Sequence, residues 1–206
     1  MRIFTTRVVG IRRVEAADIE AIVETLVEAS ADSSEYAYLI PDRDLRMPAL
    51  KSFYTNLIED AVLPGRGSVW CTVDHGGAAV WHWSTASPLR AFKDDPCASL
   101  YPGFKGRATV LELLLQNREP QSRHVVLTHL GVAPQAQGKG RGSTLLRDRL
   151  KILDVAQMPS YLVATNFRSR ALYLRFGYVD HGVPIELPTG ASLYPMWRDF
   201  RPAQAT

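Results

Sequence analysis

The chain has 206 residues, of which 46% are hydrophobic and 22% charged, with a formal net charge of +3. That excludes a disordered or fibrous protein and fits one large domain, or a domain with an insertion, that buries about 70% of its unfolded surface. Cys71 and Cys97 make neither a disulfide framework nor a metal-ligand spacing, no apolar run approaches the roughly 18 residues of a membrane span, and MRIFTTRVVGIRR lacks a signal-peptide core, so a cytoplasmic protein with no metal and no membrane partner is expected.

The run 8–14 reads as a strand. Ile19, Ile22, Val23, Leu26 and Val27 then follow the stripe of an amphipathic helix, which SADSSEYAY breaks. A second helix is expected from about Arg46 to Val62, ending at the breaker PGRG. SVWCTV (68–73) and AAVWHW (78–83) flank DHGG as a hairpin. Residues 84–106 carry no periodicity and read as an insertion or a substrate-side loop, followed by a helix over about 107–117. HVVLTHLGV (124–132) is a central strand, Pro134 to Gly142 a loop, and Ser143 to Val155 a helix with Leu146, Leu150 and Leu153 inward. SYLVAT (160–165) is a strand, Arg170 to Phe176 a short helix, and closing strands lie near 182–187 and 192–198. The alternation predicts a mixed α/β sheet in a single domain, residues 1–206.

Charge is unevenly spread. From Gln137 to Arg175 there are eight basic residues and two acids, so this stretch carries +6 and the rest −3. An anion is expected there, although Arg147, Arg149 and Lys151 read as a solvated helix face. Within the stretch, Gly138, Gly140 and Gly142 alternate immediately before a helix. Glycine permits positive φ and close ligand approach, and the first helical amides lack intrahelical partners and carry the positive end of the macrodipole. Together they make a phosphate cradle, with Lys139 and Arg141 as mobile positive charge beside it. The loop is neither a Walker motif, since Lys139 is followed by Gly140, nor a G-x-G-x-x-G fingerprint.

Gln137-x-x-Gly140-x-Gly142 after Leu130-Gly131-Val132-x-Pro134, with Asn166, Tyr173 and Gly177-Tyr178 at their spacing, resembles the GCN5-related N-acetyltransferase (GNAT) superfamily. The run GVAPQAQGKGRGSTLL, with YLRFGY and YPMWR, is most similar to the puromycin N-acetyltransferase-like branch. The resemblance is strong over about 125–198 and absent over 84–120. It implies a GNAT fold with a central, mostly antiparallel sheet, divided into an acceptor-side half (1–120, with an insertion at 84–120) and an acetyl-CoA-binding half (121–200). It also implies that Leu130, Gly131 and Val132 bind the acetyl carbonyl and pantetheine arm. The loop from Gln137 through Gly138, Lys139, Gly140, Arg141 and Gly142 to Ser143 would hold the pyrophosphate, Asn166 the cofactor chain, and Tyr173 would be the general acid. The implied activity is acetyl transfer from acetyl-CoA to a primary amine of a small molecule, such as an antibiotic or natural product, by a monomer or homodimer.

One position departs from the pattern. Many relatives carry a basic glutamate where this chain has Val163. His129 is the preferred substitute, with Glu112 a weaker one, and His124 reads as a strand-end surface residue. His129 can equally be a hydrogen-bonded strand histidine, and Tyr173 a core aromatic. Trp70, Trp81, Trp83 and Trp197 cluster on strands as core or as walls for a flat acceptor. The loss of the acid also leaves open a CoA-binding sensor with weak catalysis. A nucleic-acid partner is not expected, because the basic residues surround a cofactor-type loop.

Overall fold

The computed structural model describes residues 9–62, 65–83 and 101–201. In chain order the elements are β1 (Ile11–Arg13), α1 (Ile19–Ser30), α2 (Ser34–Leu39), α3 (Arg43–Val62), β2 (Gly67–Thr72), β3 (Gly77–Trp83), α4 (Phe104–Gln116) and β4 (Val125–Val132). They continue as α5 (Arg141–Val155), β5 (Ser160–Ala164), α6 (Phe167–Arg175), β6 (Val179–Asp180), β7 (Ile185–Glu186) and β8 (Ser192–Arg198). Among the described residues the sheet runs β1-β2-β3-β4-β5-β8-β6, with β7 also on β8. Every neighbouring pair is antiparallel except β4 and β5.

Strand alternation divides the interior into two cores. Val69, Cys71, Ala78 and Val80 face α1 and α3, where Ile22, Leu26, Leu50, Phe53 and Ile58 are buried. Ala79 and Trp81 face the other way, against Leu145, Leu146, Leu150 and Leu153 of α5. The central strand β3 is therefore covered on both sides, as its unbroken apolar run requires. Trp197 stands apart from the other tryptophans, beside His124 and His181.

Several boundaries differ from expectation for identifiable reasons. The segment read as a break contains α2, which at six residues is too short to show a period. Ser33 precedes it in an extended conformation, and Arg107 Nε of α4 donates to Leu39 O at its end, at 2.8 Å. Helix α3 starts at Arg43 because Asp42 Oδ1 accepts the amides of Asp44 and Leu45. Helix α6 starts at Phe167 because Asn166 caps it. His124 is fully buried, contrary to the surface expectation; its Nδ1 lies 2.6 Å from Ser122 O and its ring packs on Tyr161 and Trp197. Most of the region expected as an insertion, residues 84–100, lies outside the described residues, as does Cys97.

Two features position the site. Strands β4 and β5 pair only at Val125–Ser160 and Val126–Tyr161, and beyond these pairs they separate. Helix α1 then lies against β4 so closely that a Cβ on Gly131 would sit 2.7 Å from Leu26 Cδ2 and 3.0 Å from Ala29 Cβ. Gly131→Ala should therefore destabilise the fold by about 1–3 kcal/mol through overpacking, measurable by urea unfolding.

Candidate active site

The separation of β4 and β5 opens three connected chambers. The outer one, about 600 Å³, is lined by the glycine loop, Leu130, Gly131, Val132, Asn166 and Tyr173. A middle chamber of about 350 Å³ shares Tyr173 and Asn166 with it and adds Glu35, His129 and Val163. An inner cavity of about 130 Å³ shares Glu35, His129 and Val163 and continues between Tyr36, Phe53, Leu111, Leu115 and Tyr161.

The outer chamber has the character of an oxyanion cradle. Gly138 and Gly140 adopt φ of 73° and 79°, the left-handed region, and Gly140 is the residue before α5. A Cβ at either would touch nothing, so backbone conformation and not crowding calls for glycine there. Thr144 N bonds to Gly140 O at 2.9 Å, and the residues before it, Gly138 and Gly140 to Ser143, line the chamber. Gln137 Nε2 braces the loop on Val132 O at 3.1 Å. The two flanking cations are less mobile than expected. Arg141 pairs with Asp74 across the loop and its Nη1 donates to Ala136 O, while Lys139 Nζ donates to Gln135 O at 2.9 Å. They buttress the loop's shape, and the backbone is left to meet the anion.

Asn166 Oδ1 accepts the Ser169 amide at 2.9 Å, so the residue expected to touch the cofactor also fixes the start of α6. That helix places Tyr173 with its ring buried and its edge toward Tyr178, at 5.8 Å between centroids. Burial, with smaller contributions from Tyr178 and Glu35, raises its pKa well above that of a free phenol. Tyr173 is therefore protonated at neutral pH.

The opposite wall of the middle chamber is built by a bulge. The β3–β4 register shifts between Val80 and Trp81, which oppose His129 and Leu127, so Thr128 is extra. Consecutive residues Leu127, Thr128 and His129 consequently all line the cavity, which regular alternation would forbid. His129 sits in an aromatic box, 5.6 Å from Phe53 and 5.1 Å from Tyr54 between ring centroids. Its Nε2 is 2.7 Å from Tyr36 Oη. Burial keeps that phenol protonated and pushes the His129 pKa down to about 3. The imidazole is a neutral acceptor for Tyr36 and a poor holder of protons.

The residue that sequence reasoning missed is Glu35. It projects from α2 into the middle and inner chambers, its Oε2 is out of solvent, and that atom has no hydrogen-bond partner among the described residues. Burial raises its pKa to about 7. Val163 lines the same chambers from β5 as an apolar wall. Glu112 lies elsewhere, accepting from Gln116 Nε2 at 3.4 Å on α4. The one grouping with metal-ligand atoms among the described residues, Asp18, Cys71 and His75, is already neutralised: Arg12 donates to both Asp18 oxygens at 2.5 and 2.6 Å.

A family model described as Acetyltransferase (GNAT) family matches residues 78–178. Among solved structures, the chain is similar to the histone acetyltransferase HPA2 and related acetyltransferase of Corynebacterium glutamicum, at 22% identity and TM-score 0.68 over 96% of this chain and 99% of that one. It is also similar to arylalkylamine N-acetyltransferase 2 of Aedes aegypti, at 12% identity and TM-score 0.63 over 95% and 100% of the chains. The PaiA N-acetyltransferase of Thermoplasma acidophilum, solved with coenzyme A, gives 14% and 0.58 over 93% and 99%. At these identities the structures share the fold, with its open sheet flanked by helices.

A buried carboxyl with a raised pKa has a signature in stability. The unfolded chain loses the Glu35 proton near 4.5 and the folded chain near 7, so the fold is penalised as pH rises through that window. Glu35→Gln should match the wild type below about pH 4.5 and be more stable above pH 7, by up to about 3 kcal/mol, in urea unfolding across pH.

Proposed function

We propose that this chain, whose residues 78–178 match the GNAT acetyltransferase family model, acts as a member of that family and moves the acetyl group of acetyl-CoA onto a primary amine of a small, largely apolar molecule. The observation that carries this reading is the Glu35 carboxyl. It is a proton acceptor poised near pH 7, in the same chamber as a phenol that keeps its proton.

The residues divide the work as follows. Acetyl-CoA supplies an activated thioester; the Gly138–Ser143 backbone and Gln137 would hold its diphosphate, and Leu130 to Val132 its pantetheine arm and acetyl carbonyl. Glu35 takes the proton from the incoming ammonium, since only a neutral amine has a lone pair for attack. A base with a pKa near the working pH combines availability with driving force, and such a group contributes about 10²–10⁴ in rate. Tyr173 keeps a proton for the departing sulfur, whose basicity is roughly that of a phenol. His129 serves as a positioning residue, anchoring Tyr36 directly after Glu35 in α2. Transfer is direct, with both substrates bound together; no side chain is assigned as an acyl carrier.

The inner cavity defines the acceptor. Its volume of about 130 Å³ approaches the roughly 150 Å³ of an engineered cavity that holds benzene, and its walls are Tyr36, Phe53, Leu111, Leu115 and Val163. An amine carried one or two carbons from a single ring would place its nitrogen at Glu35 and its ring among these side chains. The Aedes aegypti neighbour is named for arylalkylamines, which fits this reading. The motif run similar to the puromycin N-acetyltransferase-like branch likewise supports a small-molecule acceptor.

Thiol release with acetyl-CoA and phenethylamine tests the proposal. The kcat/KM for the amine should rise with pH through a midpoint of about 7. Glu35→Gln should lower kcat by about 10²–10⁴ and remove that midpoint. Tyr173→Phe should lower kcat while leaving acetyl-CoA affinity nearly unchanged by calorimetry. Tight acetyl-CoA binding without turnover of any amine in a broad panel would instead identify a CoA-binding module.

A further inference from the structure

The sheet face turned toward α5 carries another cavity, which shares no lining residue with the three chambers of the cleft. Its volume is about 220 Å³ and its side-chain walls include Arg13, Ser68, Trp70, Trp81, Trp83 and Arg149. Register brings most of them together: Arg13 opposes Trp70 across β1–β2, and Ser68 opposes Trp81 across β2–β3, and cross-strand partners share a face. Arg149 reaches the same space from α5.

Donors predominate among the polar side chains of this cavity; His82, which also lines it, lies 4.0 Å from Asp60. Four buried polar atoms, Ser68 Oγ, Trp70 Nε1, Trp81 Nε1 and Arg149 Nε, have no hydrogen-bond partner among the described residues. Trp81 is 1% exposed and Ser68 7%. All four groups can donate, and three of them can only donate. Among the described lining residues none is Asp or Glu, and neither Arg13 nor Arg149 has an ion pair there. The two guanidinium groups feel one another. Burial first, and the Arg13 charge second, lower the Arg149 pKa from its ordinary value. Buried polar groups are ordinarily satisfied, so a cavity that gathers four unmatched donors beside two guanidinium groups is suited to an anion.

We propose that this cavity binds the oxyanion of a small organic acid or phosphate ester, seated between Arg13 and Arg149 and walled by the indoles of Trp70 and Trp81. The planar guanidinium fork matches carboxylate and phosphate oxygens, and the indole N–H and serine hydroxyl groups supply further donors. The volume exceeds the roughly 150 Å³ that accommodates benzene, so an anion bearing one ring or a short chain fits. This site is independent of acetyl transfer and stands whether or not the amine assignment holds.

The tryptophans in the wall provide the readout. Indole emission is titrated with benzoate, phenyl phosphate and inorganic phosphate, with benzyl alcohol as the uncharged control. Coenzyme A is present throughout at saturation, so that the glycine-loop cradle does not compete for anions. The anions should give a saturable change and benzyl alcohol none, and the ranking of benzoate against the two phosphates identifies the preferred oxyanion. Arg149→Gln and Arg13→Gln should each weaken binding about tenfold or more. Arg168→Gln, at the cofactor cleft, should leave it unchanged. Arg13 is exposed, so Arg13→Gln remains informative if the α5 variant folds poorly. No saturable response to any anion, equal binding of benzyl alcohol, or undiminished affinity in both arginine variants would overturn the proposal.

Discussion

Two residue pairs hold β4 to β5, and everything that gives this protein a site follows from their ending where they do. A parallel pair that continued would satisfy the facing backbone groups and leave no room for a ligand. Because the strands part after Val126 and Tyr161, the β5-facing edge of β4 from Leu127 onward offers unpaired amides and carbonyls to the opening. The separation is sustained from both sides: α1 packs against β4 through Gly131, and β5 is drawn the other way by five residue pairs with β8. The glycine loop at the top and the aromatic box at the bottom are then the two ends of a single opening.

Into that opening the fold places a group that ordinary packing rules would remove. Glu35 has a carboxylate oxygen without a partner, at a cost to stability above neutral pH. The surroundings relieve it only in part: Val163, Phe53 and Leu127 are apolar, the Ser33 hydroxyl offsets some of the cost of burial, and Tyr36 Oη and His129 Nε2 are bonded to each other. A carboxyl held in a destabilised state on the wall of a cavity is the mark of a functional-site candidate. The Arg13–Arg149 cavity shows the same imbalance with the opposite sign of charge.

The glycine loop was legible in the sequence because its shape depends on backbone conformation, and glycine spacing reports that directly. Gly138 and Gly140 occupy the left-handed region as the alternation implied, and Asn166 and Tyr173 share the outer chamber with them. The strand–helix periodicities of α1, α5, β3 and β4 were readable because each buries one clear face. The N-terminal part of the cavity wall was less so. Helix α2 is too short for a period, so Glu35 was hidden in a segment that reads as a break; its only local signal is Ser33 two positions earlier, just before the helix. The β4 bulge that turns His129 inward has no signature in residue type, and the burial of His124 depends on Tyr161 and Trp197, distant in sequence. What depends on contacts between remote segments could not be read from either one.

The proposed acetyl transfer depends on the protonation of one carboxyl. A carboxyl-carbon NMR titration of the full chain, with the Glu35 resonance assigned by its absence from the Glu35→Gln variant, measures this without any substrate. A midpoint of about 7 is the result expected. A midpoint near 4.5, the value of a solvated glutamate, would mean that the carboxyl is neither dry nor unpartnered, and the assigned base would be lost.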